Sequence, residues 1–420
     1  MTERKNKNWL VKLFLIDAIL IIIYIFVLFS PFGLILWEIA FIFAIINIFG
    51  IVWAIRRIIG VKKERITKYR NYFVIFTLIV LIGFNIFAII PFFYVNPLGT
   101  QFESAFKEEL GENYYESIPE KYRDRLKAPG SFFGLKGLGY FFNPSVSVKQ
   151  DLPYGSSEYE KYDKYEDTSI VENNKPCLIF IHGGGSVAAS SENSFYCRFA
   201  CNYFASLGFV AFSVEFTPTN VETFPRAVKD VRTALAHIKA NAGNYNIDST
   251  KITIMGGSFG GHMATLSAYT GFQEDSWWRA NGGDFTKEEL EVACIVDLYG
   301  TVNPIIPWEL NHFLTRTTVI KFNGSPYDSP EKLDLYNRHI SKNYVSADLP
   351  PTLIIHGVID GMVSIEESRD LQKALKDVGA PHIYLEVPFG QHAFDIVPGT
   401  PGNQLTFYFV PRFVLSVLYG

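Results

Sequence analysis

Apolar and polar positions divide this chain into two unlike parts. Three long apolar stretches occupy its start: Trp9 to Ser30, Leu34 to Trp53 and Tyr72 to Val95. Each approaches the ~20 residues a helix needs to cross a bilayer, and none shows the polar face of a helix lying on a soluble core. The pattern predicts three membrane spans over residues 1–95. No small-residue cleavage site follows the first, so it does not read as a signal peptide. A connecting region over 96–144 is charged and then aromatic, with Phe132, Phe133, Tyr140, Phe141 and Phe142 expected to lean on the domain that follows.

From residue 145 onward the periods alternate. Ser145–Lys149, Cys177–Ile181, Phe209–Val214, Lys251–Met255, Ala293–Leu298, Thr352–Ile355 and Ile383–Val387 read as strands. Ser194–Leu207, Pro225–Ala242, Gly261–Tyr269 and Ile365–Val378 read as helices. The second of these carries Ala227, Val231, Leu235 and Ile238 on one stripe. Short apolar strands alternating with helices predict a mostly parallel sheet with helices on both faces. Residues 145–420 form this domain, and an aromatic insertion at 275–345 is expected to cap its ligand site. That cap would offer Trp277, Trp278 and Trp308 to a substrate pocket.

Charge sharpens the division. Residues 1–70 hold 11 Lys/Arg and 4 Asp/Glu, a net of +7 in a chain of net −4, so the remainder is strongly acidic. Basic residues flank the first span and fill the link between the second and third, from Arg56 to Arg70, whereas the link around Pro31 and Gly33 has none. The positive-inside bias puts the N-terminus in the cytoplasm and everything after Val95 outside, in a multi-pass protein of the cell membrane. Asp17 and Glu38 lie near span ends, where each can reach an interface. Membrane lipids are thus expected partners, and nucleic acid is not, because the outer domain lacks a basic surface. Oligomeric state is not legible. Of the four cysteines, Cys197 and Cys201 share a helical face, which suits a disulfide poorly, and Cys177 and Cys294 fall in apolar strands. No spacing suggests a metal or a cofactor.

The chemistry starts where the strand Lys251–Met255 runs into Gly256-Gly257-Ser258-Phe259-Gly260-Gly261. This is the G-x-S-x-G pattern of a nucleophile elbow, which holds a serine oxygen out at the carboxyl edge of a sheet. A serine needs a base, and the base needs an orienting acid, in the chain order serine, acid, histidine. Among eight histidines, His392 lies after Ser258 in a loop that follows a strand. Asp360 stands just beyond the end of the preceding strand; its rival Asp395 shares the loop of His392 and reads as a turn or cap residue. The glycines of Ile181-His182-Gly183-Gly184-Gly185 follow another strand and, with the N–H of Phe259, would form an oxyanion hole. His182 then braces that loop.

Six stretches carry a resemblance: Asp151–Gly155, Phe180–Gly185, Phe224–Asp230, Gly256–His262, Leu349–Gly357 with Asp360, and Gly390–Asp395. Over roughly Val146 to Gly420 the chain resembles the α/β-hydrolases of the hormone-sensitive-lipase and carboxylesterase group, especially BD-FAE-like bacterial esterases. The resemblance implies an α/β-hydrolase fold and cofactor-free hydrolysis of carboxylic esters through an acyl-enzyme. It implies a triad of Ser258, Asp360 and His392, with the oxyanion held at Gly183, Gly184 and Phe259. Phe259 departs from the usual alanine, keeping the N–H while its ring bears on the pocket. The N-terminal spans are no part of the family pattern. An acyltransferase or a serine peptidase would use the same triad, and a non-catalytic adhesion protein would lack one of its members. A small-molecule or lipid ester is the expected substrate.

Overall fold

The computed structural model describes residues 68–132, 143–184, 195–271, 276–306 and 330–420, with a few positions between 316 and 326. The chain divides into two compact units, Met1–Pro97 and Leu98–Gly420. Trp9–Ser30 and Leu34–Trp53, expected to span a membrane, lie outside the described residues. Tyr72–Val95 falls within the first helix, α1 (Lys68–Leu110), where most of its side chains also lie outside them. Among the described residues, no helix is long and apolar enough to cross a membrane.

The second unit is built on an eight-stranded sheet in the order β1-β2-β4-β3-β5-β6-β7-β8. These strands are β1 (Val146–Pro153), β2 (Lys161–Asp167), β3 (Lys175–Ile181), β4 (Val210–Val214), β5 (Ile247–Gly257), β6 (Cys294–Leu298), β7 (Thr352–Gly357) and β8 (His382–Val387). β1 and β2 pair antiparallel at one edge, and β2 joins β4 the same way. Every other neighbour is parallel. The central strands β3, β4 and β6 are buried along their whole length, as strands covered on both faces must be.

Helices α2 (Phe195–Leu207), α3 (Arg226–Ala240), α4 (Phe259–Gly271), α5 (Ser276–Asn281), α6 (Ile365–Val378) and α7 (Pro401–Tyr419) complete the main framework. One face of the sheet, with Ile179, Ile181, Phe212 and Ile254, packs in a single cluster with Val231 and Leu235 of α3 and Met263 and Leu266 of α4. The alternate residue Phe180 meets Tyr196 of α2 on the opposite face, their rings 5.4 Å apart. There Phe199 and Tyr203 of α2 pack edge-on against Phe407 of α7.

Two elements depart from the expected pattern. β2 reads Lys-Tyr-Asp-Lys-Tyr-Glu-Asp, too charged for an apolar alternation, yet Tyr162, Asp163 and Tyr165 are buried. Neighbours compensate the charges: Glu166 pairs with Lys164 and Lys175, and Asp163 accepts the N–H of Asp151. The second is α7, which clamps the segment expected as a connector. Phe102, Phe106 and Phe132 are all buried and meet the ring of Phe409 at 5.1–5.8 Å. Residues 98–132 therefore belong to the second unit, and Phe132 is buried in its core. The four cysteines are buried and unbridged.

Candidate active site

The site forms at the carboxyl ends of β5, β7 and β8, where ligands bind in sheets of this kind. β5 ends at Gly257, and α4 starts at Phe259. Between them Ser258 has φ 58°, its N–H donating to the Leu298 carbonyl at the end of β6 over 2.8 Å. So tight a reversal needs bare backbone. A Cβ at Gly256 would collide with the Gly260 backbone, and one at Gly260 with the carbonyl of Ile181.

Left-handed backbone costs an ordinary residue roughly 1–2 kcal/mol. Three non-glycine residues outside the tolerant Asn/Asp class adopt it among the described residues: Ser258 (φ 58°), Tyr299 (φ 46°) and Ala393 (φ 60°). One is the elbow serine, one adjoins His392, and the ring of the third lies 5.1 Å from His392. Strain is concentrated where three side chains must converge.

The convergence is a hydrogen-bonded line. His392 Nε2 lies 2.9 Å from Ser258 Oγ, and His392 Nδ1 lies 2.8 Å from Asp360 Oδ2. With Nδ1 donating to the carboxylate, Nε2 is left as acceptor for the serine hydroxyl. Asp360 is buried at the end of β7, and its Oδ1 accepts the N–H groups of Met362 and Val363 at 2.8 and 2.9 Å. Burial pushes its carboxyl up, but the charges and hydrogen bonds of His392 and His356 outweigh this and hold it below the ordinary carboxylate range. His356 Nε2 stands 3.3 Å from Asp360 Oδ2 and 3.2 Å from the Val363 carbonyl, while its Nδ1 meets Ser368 Oγ at 2.7 Å. By sequence that second imidazole, four residues before the acid, is only a strand-end histidine out of order for a base; its support of Asp360 is visible in the structure alone.

Asp395 lies in the turn that follows His392, as its position implied, and does more than shape it. It is buried and accepts the hydroxyls of Tyr196 and Tyr299, joining the start of α2 to the His392 loop. Tyr299 packs edge-on to His392, so its ring forms one wall of the base's seat.

The glycine loop adjoins the elbow. A Cβ on Gly183 would lie 3.0 Å from the Gly257 carbonyl oxygen and 3.3 Å from Ser258 Cβ. Gly184 follows at φ 84°, and Gly185 lies outside the described residues. His182 Nδ1 donates to the Gly183 carbonyl over 2.8 Å, its ring stacks on Phe216 at 4.3 Å, and its Nε2 faces the buried Glu215 at 3.4 Å. These contacts fix the peptide between Gly183 and Gly184. The backbone N–H of Phe259 opens α4. Its ring is buried, tilted against Phe216 at 5.7 Å and parallel to His262 at 6.3 Å.

The expected cap packs away from Ser258 in its first described part. Strand β6 interrupts it, and α5 packs at the far end of α4, about 18 Å along the helix from Ser258 at 1.5 Å per residue. Trp278 is 1% exposed, wedged among Phe224, Trp277, Tyr344 and Arg232. Trp277 stacks on Phe224 beneath Arg338. Two adjacent indoles at the end of a helix bury more apolar area in the core than over a cleft, so they join it. Trp308 and most of residues 307–329 lie outside the described residues.

Comparison with known proteins agrees with this geometry. The BD-FAE family model matches residues 164–375. The chain is 28% identical over 302 residues to Esterase LipQ of Mycobacterium tuberculosis, covering 68% of this chain and 67% of that one. It is 28% identical over 248 residues to the probable carboxylic ester hydrolase LipM of the same organism, covering 58% of this chain but only 54% of the relative. Among solved structures, an inhibited Esterase B from Lactobacillus rhamnosis superposes with a TM-score of 0.56 at 17% identity, over 67% of this chain and 92% of that one, a likeness of fold. Family and relatives together support a carboxylic ester hydrolase.

Proposed function

The chain belongs to the BD-FAE family, and from that premise we propose a membrane-anchored serine carboxylesterase whose triad is Ser258, His392 and Asp360. The observation that carries the triad is the Ser258–His392–Asp360 hydrogen-bonded line, with separations of 2.9 and 2.8 Å. Ser258 Oγ attacks the ester carbonyl as His392 Nε2 takes its proton. Asp360 holds the imidazole tautomer and balances the imidazolium. The N–H groups of Gly183, Gly184 and Phe259 receive the charge that develops on the carbonyl oxygen, each worth about 3 kcal/mol of transition-state stabilisation. His392 returns the proton to the departing alcohol. A water deprotonated by the same nitrogen then attacks the acyl-enzyme, releasing the acid and restoring Ser258. The substrate is a small-molecule or lipid ester, and no cofactor takes part.

Steady-state hydrolysis of an aryl acetate tests the triad. Ser258→Ala should lower kcat by about 10⁶-fold with an unchanged Tm. Retention of more than a tenth of the wild-type rate would remove Ser258 from the reaction.

Anchoring rests on the three apolar stretches and the basic link between the second and third. It is supported in the first unit by the exposed Ile79, Ile82, Phe93 and Tyr94 of α1, apolar surface suited to lipid. The basic flanks favour a catalytic domain outside the cell.

A further inference from the structure

A second charged site lies at the opposite end of α4 from Ser258. Arg232, on α3, is 2% exposed. Its guanidinium lies 4.7 Å from the Trp278 ring, donates to Thr270 Oγ1 and reaches the Gly282 carbonyl at 3.4 Å. All three partners are neutral. The buried Nε of Arg232 has no acceptor, and no carboxylate pairs with the group among the described residues. Burial lowers the guanidinium only to about 10, so the charge persists at neutral pH. An unpaired buried charge typically costs several kcal/mol, and native proteins rarely leave one uncompensated.

Beside it is a cavity of about 130 Å³. Arg232, Thr270, Trp278, Arg279 and Lys287 are among its lining residues, and none of the described lining residues is acidic. A cavity of ~150 Å³ takes a benzene, so the space is large enough for a tetrahedral or planar oxyanion. Arg279 and Lys287 are exposed at the rim, where two cations would draw an anion inward.

We propose that this cavity binds a small oxyanion, a phosphate or carboxylate group, seated on Arg232 between α3, α4 and α5. Arg232 lines the cavity, and a guanidinium edge binds such oxygens two at a time. Occupancy neutralises the buried charge and ties α3 and α5 to the far end of the helix that carries Ser258. The site is independent of ester hydrolysis and takes a ligand of its own.

Thermal unfolding of the purified full chain tests it, with inorganic phosphate or acetate exchanged for chloride at constant ionic strength. The expected result is a saturable rise in Tm of several degrees, larger with phosphate if the ligand is a phosphate and larger with acetate if it is a carboxylate. Arg232→Met should abolish the rise. Should that variant fail to fold, the double variant Arg279→Ala, Lys287→Ala changes only exposed rim residues and should weaken the anion's apparent affinity at least tenfold. No rise with either anion, or an equal rise in the rim variant, would overturn the proposal.

Discussion

At the scale of single residues, the site is held by contacts that reach beyond the three members of the line. Asp360 is ionised because His392, His356 and two backbone N–H groups surround it. Asp360→Asn would keep the shape but favour the wrong imidazole tautomer, so kcat should fall by about 10⁴-fold with little change in KM. Steady-state kinetics on a soluble ester checks this. Asp297 behaves in the opposite sense. It is buried beneath α4, with Oδ1 accepting the Gly300 N–H at 3.0 Å, and burial pushes its carboxyl up to about 7 despite the nearby His356. The folded state therefore holds a proton that the unfolded chain releases. That contribution is complete below the ordinary carboxyl value near 4 and is lost as the pH rises toward 7, at a cost of a few kcal/mol. Asp297→Asn keeps the acceptor and cannot ionise. Its Tm should gain on wild type between pH 4 and pH 7.5, and parallel Tm curves would show that Asp297 does not titrate in this range.

At the scale of elements, the elbow, the strand-end acid and the histidine loop were legible because each follows a short apolar strand with glycine close by. β5, β7 and β8 end within a residue or two of where the pattern stops, and α6 runs over Ile365–Val378 as its amphipathic stripe implied. What escaped was structure whose sequence signal is masked by charge or by uniform apolarity. β2 is charged at five of its seven positions and is defined only by its partners β1 and β4. α7 is apolar nearly all round, so no stripe marks it, and Pro411 lies inside it. The packing of Trp277 and Trp278 was hidden for a related reason: aromatic residues in an insertion read alike whether they face a cleft or a core. Trp278→Ala should lower stability by about 3–5 kcal/mol while leaving KM for a short-chain ester within threefold of wild type. Denaturant unfolding alongside kinetics separates these. A KM effect without loss of stability would return Trp278 to the substrate pocket.

At the scale of the whole molecule, an acidic hydrolase unit follows a basic, apolar N-terminal region, and the proposed anchoring predicts that this unit is exposed outside the cell. A cysteine placed on the exposed Val171 loop tests this, since the four native cysteines are buried. In intact cells it should react with a membrane-impermeant thiol reagent; protection until lysis would put the catalytic unit inside. Family and fold make the unit an esterase scaffold, but the assignment of its chemistry depends on one oxygen atom. The most direct measurement is intact-mass analysis of the protein treated with a fluorophosphonate, followed by peptide mapping. A serine mechanism predicts a single adduct, mapped to Ser258, whose formation abolishes ester hydrolysis in step. Full ester hydrolysis by protein that carries no adduct, or an adduct on another residue that alone accounts for the lost activity, would contradict it.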